Sequence, residues 1–131
     1  MPLKRLLTEF GQGASLRPQD YTQAAVRAVT DALWHNSINL AELYGRDKAD
    51  MHITVDIGVA DPDAVDHDKV AAVFPYGQIT IRPTRGGLDV PRQDGGKPTV
   101  IANAEGKMRS AIPPSPCSRP RALAMTRCAC R

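Results

Sequence analysis

Gly11, Gly13, Ser15 and Arg17 fall at alternate positions in Phe10-Gly-Gln-Gly-Ala-Ser-Leu-Arg-Pro-Gln-Asp20, between an apolar strand and the strongest helix of the chain. Two glycines, a hydroxyl and a guanidinium at a strand-to-helix junction are what a backbone needs to bring N–H groups close to an anion. In that reading Ser15 donates a hydrogen bond and Arg17 grips a carboxylate or phosphate bidentately. The helix terminus alone contributes about 0.3–1 kcal/mol, so Arg17 carries much of the affinity. The alternative is a plain tight turn with a solvated arginine. Pro18 also removes one N–H from any cradle, and neither the dinucleotide nor the P-loop signature is complete.

Other groups offer less. His35, at the end of the long helix, is either a partner for the helix carbonyls or a general acid or base titrating near neutrality. Its weak fellow candidate for catalysis is Ser15. Arg82, Arg85 and Gly86-Gly87 form a second basic, Gly-containing segment. It either completes an anion site across a subunit boundary, with Tyr76 as a wall or donor, or is a solvated turn. His52 and Asp56 share one face of a strand but stand about 13 Å apart by strand rise, too far to hold one metal. Asp61, Asp63, Asp66, His67 and Asp68 lack the glycine and distal glutamate of a calcium loop, and capping is their expected role. No metal and no cofactor is expected, and spacing alone assigns no Ser–His–Asp or Cys–His arrangement.

The elements that must position these groups follow from periodicity. Leu3 to Phe10 alternates as a strand, and the Gly-rich junction follows it. Asp20 with Gln23 three places on forms a capping box. Ala25, Val29, Ala32 and Leu33 then recur at helical spacing, with Arg27 and Asp31 paired on the polar side. Leu40-Ala-Glu-Leu-Tyr44 reads as a short helix closed by Gly45. His52 to Val59 alternates strictly, as in a sheet covered on one face. Asp66 caps a helix reaching Val73 and Phe74, which Pro75-Tyr-Gly77 stops. Gln78 to Arg82 is a strand, Arg85-Gly-Gly87 a tight turn, and Leu88-Asp-Val90 its short return strand. Thr99 to Ala104 is the last strand. The order predicts an α/β (α+β) fold, a mixed sheet with helices packed on one face, and a polar second face of the kind that packs against a neighbouring subunit.

The chain of 131 residues has room for one domain. Its net charge of +3 hides two halves. Through Glu105 there are 11 Lys and Arg against 14 Asp and Glu, whereas from Gly106 onward six basic residues face no acid. All three cysteines (Cys117, Cys128, Cys130) lie in that second part. The reading is a single domain over residues 1–105 and a disordered, basic Pro/Arg/Cys-rich tail over 106–131, with the composition of a GC-rich frame translated out of phase: a frameshifted or mis-called end. The tail's cysteines lack zinc spacing, and its cations lack interleaved aromatics, which speaks against nucleic acid. No apolar run spans a membrane, and Met1-Pro-Leu-Lys-Arg5 leads into no signal-like apolar stretch. The expected location is cytoplasmic.

Several segments resemble a family of small conserved hypothetical proteins first described from Listeria. They are Phe10-Gly-Gln-Gly13, Ala24-Ala-Val-Arg-Ala-Val29, Ala32-Leu-Trp-His-Asn-Ser-Ile38, Ile57-Gly-Val59, Val73-Phe-Pro-Tyr-Gly77, Gly86-Gly-Leu88 and Val100-Ile-Ala-Asn-Ala104. The resemblance runs from about residue 3 to residue 104. The family's hallmark, G-x-G-x-D-x-H-G, is met at Gly11 and Gly13 but altered to Ser15, Arg17 and Pro18. If the family's acid and histidine do chemistry, this chain has lost both. The element order is also similar to the bacterial chorismate mutase-like shape, whose trimers place their sites between subunits.

Two functions are thereby expected. The first is binding, with or without turnover, of a small anionic or amide-bearing metabolite by Gly11, Gly13, Ser15 and Arg17, helped by Tyr76, Arg85 and Gly86 or by His35. The second is service as a non-catalytic oligomeric binding or accessory subunit. A homo-oligomer is expected in both.

Overall fold

A computed structural model describes residues 2–17, 19–34, 45 and 47–111. The expected short helix at Leu40-Ala-Glu-Leu-Tyr44, the candidate His35, Pro18 and most of the tail lie outside the described residues.

The first strand, β1, is Leu3–Ser15. It does not stop at the glycines but runs through them, pairing antiparallel with the last strand from Leu3 to Ser15 with one irregularity between Arg5 and Leu7. Asp20 then accepts a hydrogen bond from the Gln23 N–H (2.9 Å), the expected cap of helix α1, Tyr21–Trp34. A 3₁₀ turn at Lys48–Asp50 leads into β2, His52–Val59, whose side chains alternate strictly between buried and half-exposed. Asp66 caps α2, His67–Ala71, by accepting from the N–H groups of Asp68 and Lys69. This helix is shorter than the periodicity implied, because the backbone turns through Val73 and Phe74 instead of continuing. The remaining strands are β3, Gln78–Arg85, β4, Leu88–Val90, and β5, Thr99–Ala111.

The sheet is mixed, in the order β1-β5-β2-β3, with β2 and β3 parallel and β5 antiparallel to both its neighbours. β1 occupies one side of β5 along its length. β2 and β4 therefore share the other side, β2 beside Asn103 to Arg109 and β4 beside Thr99 to Ile101. Two expectations are corrected here. β4 is not the return strand of a hairpin with β3. The chain crosses the end of β2, where the Gly86 N–H donates to the Val59 carbonyl (2.8 Å), and emerges beside β5. Gly87 makes this crossing with φ of +64°, and a Cβ there would press on the Gly58 carbonyl at 2.8 Å. The last strand also runs seven residues beyond Ala104, so residues 106–111 belong to the sheet and not to the tail.

α1 covers one face of the sheet. Its buried stripe is almost entirely small: Ala24, Ala25, Ala28, Val29 and Ala32. They face Gly11 and Gly13 on β1, where an added Cβ would collide with the backbone of Ala28 and of its neighbours Ala24 and Ala32. Small residues on both sides let helix and strand approach backbone to backbone. Ile53, Val55, Ile57, Val59, Val100, Ala102 and Ala104 complete the core from the sheet. Full burial of each larger aliphatic contributes about 1.5–3 kcal/mol.

Candidate functional site

The carboxyl ends of β1, β2 and β3 lie at the same end of the sheet, where ligands commonly sit in open α/β sheets. Ser15, Arg17, Asp61, Arg85 and Gly86 all fall near this end. Ser15 is fully buried. Its Oγ accepts from the Arg17 N–H (3.3 Å) and donates to the Arg17 carbonyl (3.5 Å), so the hydroxyl closes a local turn. Arg17 itself is exposed. Arg85 ends β3, three strand spacings from Ser15, about 14 Å across the sheet, and Gly86 lies over Gly58 of β2. Tyr76 is at the opposite end: it packs on the Met51, Leu6, Leu7 and Met108 cluster, with Lys48 Nζ 5.5 Å from its ring centroid. One chain thus brings together only Ser15 and Arg17 of the expected set, with the two glycines supplying packing to α1.

The same end holds a pair the sequence did not reveal. Tyr21, first residue of α1, donates its hydroxyl to Asp89 Oδ2 on β4 at 2.7 Å. That hydrogen bond, with burial and the nearby charges of Asp89 and Asp61, pushes the Tyr21 phenol up to about 12. The other oxygen, Asp89 Oδ1, is buried without a hydrogen-bond partner, an uncommon condition for a buried polar atom.

The second concentration of ionisable groups is on the face of the sheet opposite α1, which is bare among the described residues. Phe10, Glu105, Asp56 and Arg82 form one row across β1, β5, β2 and β3. Arg82 grips Asp56 bidentately, Nε to Oδ1 at 2.7 Å and Nη2 to Oδ2 at 2.8 Å. Lys107 Nζ bonds Asp56 Oδ2 at 2.8 Å and Glu105 Oε2 at 2.9 Å. Partial burial raises the Asp56 pKa, but the hydrogen bonds and charges of Lys107 and Arg82 outweigh it and hold the carboxyl below its ordinary value. Asp56 and Glu105 in turn push the Lys107 ammonium up. The two acids and two bases cancel one another. At the amino end of the face His52 lines a shallow cleft of about 210 Å³ with Leu3, Asp50, Gln78, Ser110 and Ala111.

The bare face is also where exposed apolar side chains collect. Ala14, Ile101 and Leu88 form a continuous row across β1, β5 and β4, with Val90 beside it on β4 and Phe10 further along β1. Phe10 is 70% exposed and Leu88 57%. Both edges of the sheet are obstructed. On β1 the Gln12 N–H donates to Asp31 Oδ2 (3.0 Å) and Arg27 Nη1 donates to the Ala14 carbonyl (2.6 Å). On β3, Pro83 offers no N–H.

Among the described residues no group of three His, Cys, Asp or Glu side chains is placed to hold a metal, and no helix is long and apolar enough to cross a membrane.

No curated protein matches the sequence. In structure the chain is similar to a FtsZ-like protein of unknown function from Nostoc punctiforme. The TM-score is 0.77 and the identity 32%, over 84% of this chain and 98% of that one. The family model of a conserved hypothetical protein, Lin0512_fam, matches residues 5–106, and this chain belongs to that family.

Proposed function

We propose that the chain is a non-catalytic subunit that works within a homo-oligomer. The observation that carries this reading is the bare sheet face, with its apolar row and its self-neutralised charges. Three of the six large apolar side chains exposed among the described residues, Phe10, Leu88 and Val90, lie on its carboxyl-end half; such concentrations mark interaction surfaces. The state of the hallmark segment supports the same reading. Its glycines are used for helix packing, and its serine hydroxyl is bonded to its own turn. Sedimentation of the reduced full chain is expected to show an assembly larger than one chain; a monomer at high micromolar concentration overturns the reading.

A second reading is favoured by Asp89. Its buried, unpartnered oxygen beside the Tyr21 hydroxyl suits an amide or amine donor, and the exposed Arg17 nearby suits a carboxylate or phosphate. Binding of a small anionic or amide-bearing metabolite at this end is tested by thermal shift. A ligand that raises the melting temperature of the chain, but not of Arg17→Ala or Asp89→Ala, supports it; no shift with any such ligand defeats it.

A further inference from the structure

We infer that a second copy of this chain stacks on the bare sheet face, sheet against sheet, with the Ala14–Ile101–Leu88 rows of the two copies in contact. The inference rests on the oligomeric reading above and names the surface and the partner. Growth by strand addition is opposed at both edges: Asp31 and Arg27 already occupy backbone groups of β1, and Pro83 leaves a gap in the donors of β3. The outward side of α1 carries polar Gln23, Arg27 and Thr30, and its exposed Trp34 stands at the end of the helix, apart from any apolar row like that of the sheet face. That leaves the face.

Charge permits an identical partner there. Asp56, Glu105, Arg82 and Lys107 pair within each chain, so two such centres meet without net repulsion. A foreign partner of strong charge of either sign gains little from them. Arg5 and Arg109 sit side by side on the same face, eight residues along β5 from Ile101, about 26 Å away. Stacked sheets cross at about 30°, so these cationic ends diverge from a contact centred on the apolar row.

The area limits how much of the face two copies share. β1 and β5 are 13 residues long and β2 and β3 eight. The whole face projects to about 650 Å²; a contact centred on the apolar row covers its carboxyl-end half, a small interface beside the scale of about 800 Å² per partner. A two-fold axis along the strands sets the same apolar row of each copy against the other, the isologous contact of most homodimers.

The test is analytical ultracentrifugation of the full chain under reducing conditions, with Leu88→Arg and Trp34→Arg as variants. Leu88 is 57% exposed and Trp34, at the end of α1, is 83% exposed, so neither change disturbs the core, and circular dichroism melts confirm folding. Leu88→Arg places a charge on each side of the contact and is expected to raise the dissociation constant at least about 100-fold, whereas Trp34→Arg leaves it unchanged. A wild-type chain that stays monomeric defeats the oligomeric reading itself. A wild-type assembly that Leu88→Arg leaves intact defeats this inference alone.

Discussion

Lys107 Nζ sits 2.8 Å from Asp56 Oδ2, joining the far half of the last strand to the centre of the sheet. Composition assigned Lys107 to a foreign tail, yet it bonds two carboxylates and its side chain is only 19% exposed. The strand that carries it pairs with β1 as far as Leu3 and with β2 as far as His52. A chain ending after Ala111 is therefore expected to unfold cooperatively, with a melting temperature close to that of the full chain. One ending after Glu105 loses the partners of both amino-terminal strand halves and is expected to melt much lower or without cooperativity. Calorimetry on the two truncations distinguishes these outcomes.

Asp56 also makes stability sensitive to acid. Its folded pKa lies below the ordinary carboxylate value, so its contribution is present above about pH 4 and fades as pH falls through the depressed value. Asp56→Ala is expected to cost about 2 kcal/mol in urea unfolding at neutral pH, since it removes a bidentate arginine partner and a lysine partner. The deficit relative to wild type should shrink as the medium is acidified. A deficit constant with pH means that the charge is not what matters.

Tyr21 supplies the alkaline counterpart. The phenol holds its proton up to about pH 12 in the folded chain, whereas in the unfolded chain it ionises near about pH 10. Its contribution is complete below the unfolded value and is lost as pH rises through the folded one. Ultraviolet titration is expected to show the late ionisation of Tyr21, which Asp89→Ala moves down toward the ordinary value.

Glycine positions separate packing from flexibility. Gly13→Ala drives a Cβ into the backbone of α1, with the Ala24 carbonyl at 2.5 Å, and is expected to cost about 2–4 kcal/mol. Gly106→Ala, where an added Cβ meets nothing within 4 Å, is expected to be neutral or to stabilise by about 0.5 kcal/mol, since strands disfavour glycine. Chemical denaturation of both variants gives the comparison.

Local signals were read well. The Asp20 cap, the helical stripe of α1, the alternation of β2 and the Asp66 cap each depend on a few neighbouring residues, and each appears in the structure; the reciprocal half of the expected capping box does not, because the Asp20 N–H donates to the Arg17 carbonyl. What escaped was non-local. Gly11 and Gly13 suggested a turn because glycine at a strand end usually marks one; here the reason for glycine is a helix that returns to the strand 11 to 21 residues later. The partner of β4 depends on a crossing at Gly86-Gly87 that places Leu88 beside Ile101 instead of beside β3. Tyr21 and Asp89 are separated by 68 residues, and nothing in either neighbourhood points to the other. The second half of β5 alternates Lys107 and Arg109 with Gly106, Met108 and Ser110, so Met108 alone marks a buried side, and the segment is held by strands on both sides.

The grip of Arg27 and Asp31 on the rim of β1 has a consequence beyond the fold. It keeps two backbone groups of an outermost strand from pairing with another chain. Replacing both side chains with alanine frees those groups, and lateral aggregation is expected to rise.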